Sequence, residues 1–183
     1  MSWQEKILRV DLTAGTTSTE PLNMEWAEQY LGSRGLGSKY LSEEMNPKAD
    51  PLGPDNVLIF ATGPLGGTMA STSGRYTVIT KGPLTGAIAC SNSGGKFGAE
   101  LKYAGYDLLI ITARSEKPIY LSIRDDKVEI LPAVEIWGES VWFADEWIRK
   151  TQQDPQVKIA AIGKSGENLA RFACVVNDLH RAA

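Results

Sequence analysis

The sequence predicts an α+β fold in which short strands and hairpins alternate with a few helices. Three observations carry this prediction. Short runs of residues alternate between apolar and polar side chains or are wholly apolar, and turn-forming residues bound them. Two other segments place their apolar residues on one helical face. With 183 residues, of which 43% are hydrophobic, the chain suffices for one domain over residues 1–183 or for two closely packed subdomains.

The first elements are a hairpin and an interrupted helix. Residues 6–12 alternate as a strand, and residues 16–22 return as its partner after a turn. Asn23 can cap the helix that follows, whose apolar residues extend from 26 to 41. Glycines at 32, 35 and 37 interrupt this helix, so we expect two shorter helices or a kink.

A glycine-rich stretch occupies residues 63–105 and holds more than half of the 18 glycines. An apolar strand over 56–62 leads into it, and it contains predicted strands over 75–80 and 87–90 and a short helix over 97–104. The N-terminus of that helix would offer free N–H groups to an anion.

The same stretch surrounds one arginine, Arg75, with small hydroxyl and amide side chains. Glycine lets backbone groups approach a ligand closely, so this composition suits a bulky polar anion. A set of hairpin turns between short strands explains the same glycines without any ligand.

The second part of the chain continues with similar elements. A strand is predicted over 107–113, followed by a hairpin of 118–123 and 127–131. Ser140 can cap a helix that runs to residue 150. The remaining predictions are a strand over 157–162, a glycine turn over 163–167 and a last strand over 171–176.

The order of elements indicates an internal duplication. Residues of about 1–106 and 107–183 each supply a hairpin, a helix, an apolar strand, a glycine turn and a strand that opens with arginine, Arg75 or Arg171. The two glycine turns would then meet at a shared site. Chance recurrence of such elements in an α+β protein is the alternative.

Composition and motifs exclude several classes of protein. A net charge of −3 and a pI near 5.3 argue against a nucleic-acid binder. Cys90 and Cys174 form no CxxC pattern, and the single histidine, His180, cannot build a histidine metal site or a Ser-His-Asp triad. The Gly163-Lys164-Ser165 sequence lacks the earlier glycine of a phosphate-binding P-loop, and residues 32–37 have the wrong spacing for a dinucleotide fingerprint.

No run has the length of a signal peptide or membrane span, so we expect a soluble, cytoplasmic protein with free thiols.

Several long motifs in one order resemble a known family. They are ILRVDLTAGT at the start, LGSRGLG over 31–37, the glycine-rich stretch, and IGKSGENLARFACVVNDLHRAA at the end. Together they resemble the N-terminal domain of the tungsten-containing aldehyde ferredoxin oxidoreductases over essentially the whole chain. This resemblance implies an α+β base, built from the duplicated subdomains, that carries a tungsten (or molybdenum) bis-molybdopterin cofactor whose phosphates are bridged by Mg²⁺.

The resemblance also implies the cofactor-binding residues. They would be Arg75, Asn92, Gly94, Arg181 and Ala182. Arg75 and Arg181 would donate forked N–H groups to pterin or phosphate oxygens. The backbone carbonyls of Asn92 and Ala182 would bind Mg²⁺, which prefers oxygen ligands, and Gly94 would let the backbone reach the pterin. Under the duplication, each half would supply one set of pterin-binding residues, which we call a cradle, and one backbone carbonyl that binds Mg²⁺.

By the same resemblance, the parent enzyme oxidises an aldehyde to a carboxylate and passes electrons through a [4Fe–4S] cluster to ferredoxin. In the family, further domains carry the cluster cysteines and the acid–base residues, and some members form homodimers. We therefore assign no catalytic residue here and expect an excised domain, a truncated product or one part of a split enzyme, inactive alone. The alternatives are a non-catalytic cofactor-binding or scaffold module and a phosphate- or nucleotide-binding protein.

Overall fold

Residues 3–183, which the computed structural model describes, form a six-stranded sheet, two small sheets and five helices. This confirms the α+β class. In chain order the elements are β1 (Lys6–Asp11), β2 (Thr16–Pro21), α1 (Met24–Tyr30), α2 (Ser33–Glu44), β3 (Leu58–Thr62), β4 (Tyr76–Lys81), β5 (Ile88–Ser93), α3 (Phe97–Tyr103), β6 (Leu108–Thr112), β7 (Ile119–Arg124), β8 (Lys127–Pro132), α4 (Val141–Thr151), β9 (Ala160–Ala161), α5 (Lys164–Glu167), β10 (Val176–Asn177) and β11 (Arg181–Ala182).

The six-stranded sheet has the order β2-β1-β6-β3-β4-β5. Its neighbours pair antiparallel except β1 and β6, which are parallel, with Ile7 opposite Leu108. Strand β6 lies after the repeat boundary expected near residue 106, yet it pairs with both β1 and β3. A division at 106 would therefore cut through this sheet, whereas a division after Thr112 leaves it intact.

Helices α1 and α2 cover one face of the sheet, and the two segments confirm the predicted interruption. The break lies at Leu31 and Gly32, where Leu31 takes a φ of 64°. Gly37 lies inside α2 instead of ending it. A Cβ there would come within 2.5 Å of Ile79 Cδ1, so glycine allows the helix to approach the sheet closely.

The predicted helix caps are confirmed. Asn23 Oδ1 accepts a hydrogen bond from Trp26 N at 3.0 Å, and Ser140 Oγ accepts one from Phe143 N at 3.2 Å. Such caps satisfy backbone N–H groups that have no partner inside the helix. The predicted hairpin of β7 and β8 is confirmed as well.

The C-terminal strand predictions are only partly right. The strand expected over 157–162 contains only Ala160–Ala161, and the turn over 163–167 contains the short helix α5. The strand expected over 171–176 is wrong, because β10 begins only at Val176 and its backbone pairing reaches back no further than Val175, which exchanges hydrogen bonds with Ala183. Residues 171–174 are exposed, Phe172 by 82%, and Ala173 N bonds to Ala170 O in a turn, so this part of the run has no buried face along which to pair.

A buried ion pair fixes the end of α3 to the sheet. Lys102 Nζ contacts Asp107 Oδ1, and both side chains are almost completely buried. Asp107 Oδ2 also accepts the backbone N–H groups of Gln4 and Glu5, at 2.9 and 2.8 Å. The carboxylate therefore joins the N-terminal segment, α3 and the start of β6.

No helix within residues 3–183 is both long enough and apolar enough to cross a lipid bilayer.

Candidate cofactor-binding site

Two sheet edges meet where the sequence motifs place the candidate residues. Strand β5 is the edge of the six-stranded sheet, β11 is the edge of the three-stranded sheet β11-β10-β9, and the two strands are in contact. Strand β5 extends to Ser93, three residues beyond the prediction, and so includes Asn92. Arg181 and Ala182 form β11 itself. These edges bring two sequence segments together, residues 91–95 (SNSGG) and residues 180–183 (HRAA).

The first side of the site is a cleft of ≈ 370 Å³ beside Arg75. Arg75 Nη1 donates to Asn92 Oδ1 at 2.7 Å, which orients the exposed guanidinium along β5. The hydroxyl oxygens of Ser33 and Thr77 lie 2.5 Å apart in the same cleft. The lining residues are Gly32, Ser33, Arg34, Gly35, Arg75, Thr77 and Asn92.

Sequence reasoning missed Arg34 as a site residue. It rejected residues 32–37 as a dinucleotide fingerprint and counted residues 31–37 among the family motifs, but it gave Arg34 no role, whereas the structure places Arg34 in the cleft of Arg75. Within residues 3–183, no carboxylate forms an ion pair with either guanidinium. An arginine inside the resembling motif LGSRGLG was the available signal.

The second side of the site is a cleft of ≈ 620 Å³ around Arg181. Its lining residues are Gly95, Lys96, Lys158, Asp178, His180 and Arg181. A Cβ on Gly94 would lie 3.2 Å from Arg181 Nη1, so the absence of a side chain at 94 leaves room for that guanidinium. Three of the six lining residues are lysine or arginine, and one is an acid, so the cleft favours anions.

The expected free N–H groups before α3 are not all free. Lys96 N donates to Asp178 Oδ2 at 2.7 Å, so a carboxylate of the protein takes one of them. Asp178 and the next residue, Leu179, have φ values of 45° and 63°, in the left-handed region that few non-glycine residues adopt. Such backbone persists where surrounding contacts fix it.

One tyrosine beneath the site has a shifted pKa. Tyr76 is completely buried, and burial raises the pKa of its hydroxyl to about 12, because the phenolate would lose its hydration. The group is therefore a neutral donor at ordinary pH. Its hydroxyl donates to Asn177 Oδ1 at 3.0 Å.

The described residues offer few side-chain ligands to a metal. No group of three or more His, Cys, Asp or Glu within residues 3–183 could hold a metal ion. Arginine N–H groups and backbone carbonyls therefore dominate the donor set at the site. These donors suit a polyanion and a hard cation bound to it.

The chain is similar to proteins of one known family. Residues 7–183 match the family described as aldehyde ferredoxin oxidoreductase, N-terminal domain. The tungsten-containing aldehyde ferredoxin oxidoreductase of Pyrococcus abyssi is 54% identical over 178 residues, which cover 97% of this chain and 29% of that protein. The aliphatic sulfonate oxidoreductase, WOR-like subunit, of Pyrococcus furiosus is 34% identical and matches 100% of this chain and 31% of its own length.

A solved structure shares the fold. It is titled as the active site complex BamBC of benzoyl coenzyme A reductase in complex with 1,5-dienoyl-CoA, and it superposes with a TM-score of 0.97 at 38% identity. The match covers 100% of this chain and 28% of that one. The chain thus spans less than a third of the length of these relatives. Because the family match extends over residues 7–183, the chain belongs to the aldehyde ferredoxin oxidoreductase family, of which it forms the N-terminal domain.

Proposed function

We propose that this domain holds a tungsten (or molybdenum) bis-molybdopterin cofactor at the contact between β5 and β11. The observation that carries the proposal is the meeting of these two edges, because it assembles residues from the middle of the chain and from its C-terminal part. Asn92 and Gly94 lie at the end of β5, and Arg181 and Ala182 form β11. The word "tungsten-containing" in the name of the Pyrococcus abyssi relative supports the choice of metal.

The cofactor would supply the two-electron redox chemistry, so this chain's residues have to bind and orient it. Arg75 and Arg181 would donate paired N–H groups to its phosphate or pterin oxygens. Arg34 would add a second guanidinium on the side of Arg75. Because no carboxylate within residues 3–183 pairs with Arg34 or Arg75, an anion would not have to displace an ion pair.

The small residue and the carbonyls complete the proposed cradle. Gly94 leaves the space in which Arg181 lies, and any Cβ there would crowd the guanidinium. Backbone carbonyl oxygens of Asn92 and Ala182 would bind the Mg²⁺ that bridges the two phosphates.

The activity proposed for the complete enzyme is oxidation of an aldehyde to a carboxylate, with electrons passed through a [4Fe–4S] cluster to ferredoxin. This chain matches 29% of the length of its aldehyde-oxidising relative. The cluster ligands, the acid–base residues and any homodimer contact would lie in the remainder of such an enzyme, and the expected location remains the cytoplasm. The 183 residues alone would bind the cofactor without turnover.

The internal duplication remains a proposal, and the sheet orders support it. Strands β3, β4 and β5 are consecutive neighbours paired antiparallel, and β9, β10 and β11 follow the same order with the same sense. β5 and β11 are thus equivalent edges, and they are the strands that contain Asn92 and Ala182. The repeat then supplies one cradle per pterin.

The test is the metal and pterin content of the natural gene product that contains this chain. We expect two pterins per tungsten or molybdenum, measured by elemental analysis and by fluorescence of the oxidised pterin. Arg75→Ala should lower both contents. Arg124→Ala is the matched control, because within residues 3–183 the Arg124 guanidinium bonds to Gln152 O and Oε1, and neither residue lines either cleft.

Absence of metal and pterin, in a host able to make the cofactor, would contradict the proposal. It would favour the scaffold alternative, to which exposed apolar side chains such as Phe172, 82% exposed, and Met69, fully exposed, would contribute a docking surface. Binding of ATP or inorganic phosphate by a protein without pterin would favour the third alternative, a phosphate-binding protein.

A further inference from the structure

A buried asparagine lies between the two sides of the proposed site. Asn177 belongs to β10, and its side chain is 1% exposed. Its backbone is paired with Arg181 in the register of β10 and β11. Its side chain reaches residues of β4, β5 and the loop after β5.

All four hydrogen-bonding positions of the Asn177 amide are filled. Oδ1 accepts from the hydroxyls of Tyr76 at 3.0 Å and Ser93 at 2.6 Å. Nδ2 donates to Gly94 O at 2.9 Å and to Asp178 Oδ2 at 2.8 Å. An amide has two donor hydrogens and two acceptor lone pairs, so no other side chain of this size offers this combination.

The partners of Asn177 adjoin the proposed cofactor-binding residues. Tyr76 follows Arg75, and Ser93 follows Asn92; Tyr76 and Ser93 are also opposite each other in the register of β4 and β5. Gly94 is itself a proposed contact. Successive residues of a strand point to opposite faces of the sheet. Asn177 therefore bonds to one face of β4 and β5, at Tyr76 and Ser93, while Asn92 on the opposite face lines the cleft.

Asp178 extends the same network to the second side. Its Oδ2 accepts from Asn177 Nδ2 and from Lys96 N, and it lines the cleft of Arg181. The network therefore connects the end of β5, the start of α3 and the β10–β11 turn. A shift of one of these segments requires a donor or acceptor of the network to lose its partner, which is unfavourable for the buried groups.

We propose that Asn177 is a positioning residue that sets the separation between the Arg75–Asn92 side and the Arg181–Ala182 side of the cofactor site. The proposal rests on the proposed function, because the ligand held between the two sides is the bis-pterin anion. Asn177 touches no cofactor itself. It acts through Ser93, Gly94 and the backbone pairing with Arg181.

The decisive variant is Asn177→Asp in the complete natural gene product. The aspartate keeps the size and both acceptor positions, but it loses the donors to Gly94 O and Asp178 and places two carboxylates together. Mutation of an outer residue that holds a metal-ligating group typically lowers metal affinity or activity about 10–100-fold. By analogy, we expect Asn177→Asp to lose pterin at least about 10-fold faster than the wild type during dialysis. The readouts are pterin and metal content over time and the pterin-to-metal ratio.

A matched control separates positioning from stability. Asn56 also fills all four amide positions, with Pro51 O, Lys81 O, Val57 N and Lys81 N, at the end of β4 away from Tyr76. That end is roughly 17 Å from Tyr76, at about 3.4 Å per strand residue. Asn56→Asp should lower the unfolding temperature comparably and leave the rate of pterin loss unchanged.

Two further variants keep the test informative if Asn177→Asp does not fold. Ser93→Ala removes one donor to Asn177 and should increase the rate of pterin loss by a smaller factor. The double variant Asn177→Asp/Asp178→Asn exchanges the two side chains and so restores a donor–acceptor pair between the two positions. Asparagine tolerates the positive φ at 178. The exchange should recover part of the retention that Asn177→Asp loses.

The outcomes separate the two proposals. A wild type without pterin or metal would overturn the proposed function and this inference with it. A loaded wild type whose Asn177→Asp and Ser93→Ala variants keep the same pterin content and loss rate would overturn this inference alone. Equal acceleration by Asn56→Asp would also overturn it, because stability would then explain the effect.

Discussion

Alanine substitution of two adjacent glycines, Gly94 and Gly95, should affect different properties: stability at Gly95 and pterin content at Gly94. Gly95 has a φ of 90°, and a Cβ on it would lie 2.0 Å from Asp178 Oδ2 and 2.9 Å from Arg181 Cδ. The backbone conformation costs roughly 1–2 kcal/mol for a residue with a Cβ. Displacing the Asp178 carboxylate also breaks its bond to Lys96 N, at about 1.5–3 kcal/mol for a charged hydrogen bond.

These terms predict that Gly95→Ala destabilises the fold by roughly 2.5–5 kcal/mol, which for a domain of this size lowers the unfolding temperature by roughly 5–20 °C. Gly94→Ala should leave the unfolding temperature nearly unchanged, because its only close contact is the flexible end of Arg181 and its φ is not positive. It should instead displace that guanidinium and reduce pterin content.

Differential scanning calorimetry and pterin fluorescence, applied to both variants, distinguish these effects. Equal unfolding temperatures for Gly94→Ala and Gly95→Ala would refute the reasoning, since they would show that the Asp178 contact does not constrain position 95. Unchanged pterin content in Gly94→Ala would refute the proposed role of Arg181.

Two further predictions concern buried polar groups. Lys102→Met should destabilise the fold by about 3–5 kcal/mol, because it leaves the Asp107 carboxylate buried without its cation, and adding Asp107→Asn should recover part of this loss in denaturant unfolding. For Tyr76, burial raises the pKa from 10.0 to about 12, so the neutral form stabilises the fold below pH 10 and this contribution is lost as pH rises through 12. Tyr76→Phe should therefore show a smaller fall in unfolding temperature between pH 10 and 12, and an equal fall would exclude Tyr76 as a contributor.

The sequence predicted most elements whose signal is local. The strands over 6–12 and 56–62 were evident from their apolar pattern, and the caps Asn23 and Ser140 from residue type and position. These signals act within one turn or one strand, so they do not depend on the rest of the fold. The family resemblance also predicted that Asn92 and Arg181 share one site, and the strands that contain them, β5 and β11, are in contact.

Non-local features could not be predicted in the same way. The run over 171–176 has strand composition, but residues 171–174 belong to no strand, and only the complete fold determines which part of such a run has a neighbour. The Asn177 network joins side chains far apart in the sequence, and Asn177 carries no local signal of burial. Arg34 lies in a family motif whose residues carry no local signal that an arginine there faces the cleft of Arg75.

The position of β6 determines when the large sheet can form during synthesis. Ile7 in β1 pairs with Leu108 in β6, and Ile59 in β3 pairs with Ile110, so the strand that joins the two halves of the sheet leaves the ribosome last. Until then β1 and β3 each present an unpaired edge, and such edges recruit other chains. Translation at about 5–20 residues per second makes this interval several seconds for roughly the 50 residues between β3 and β6. A nascent chain stalled before β6 is therefore the species that we expect to aggregate or to require a chaperone.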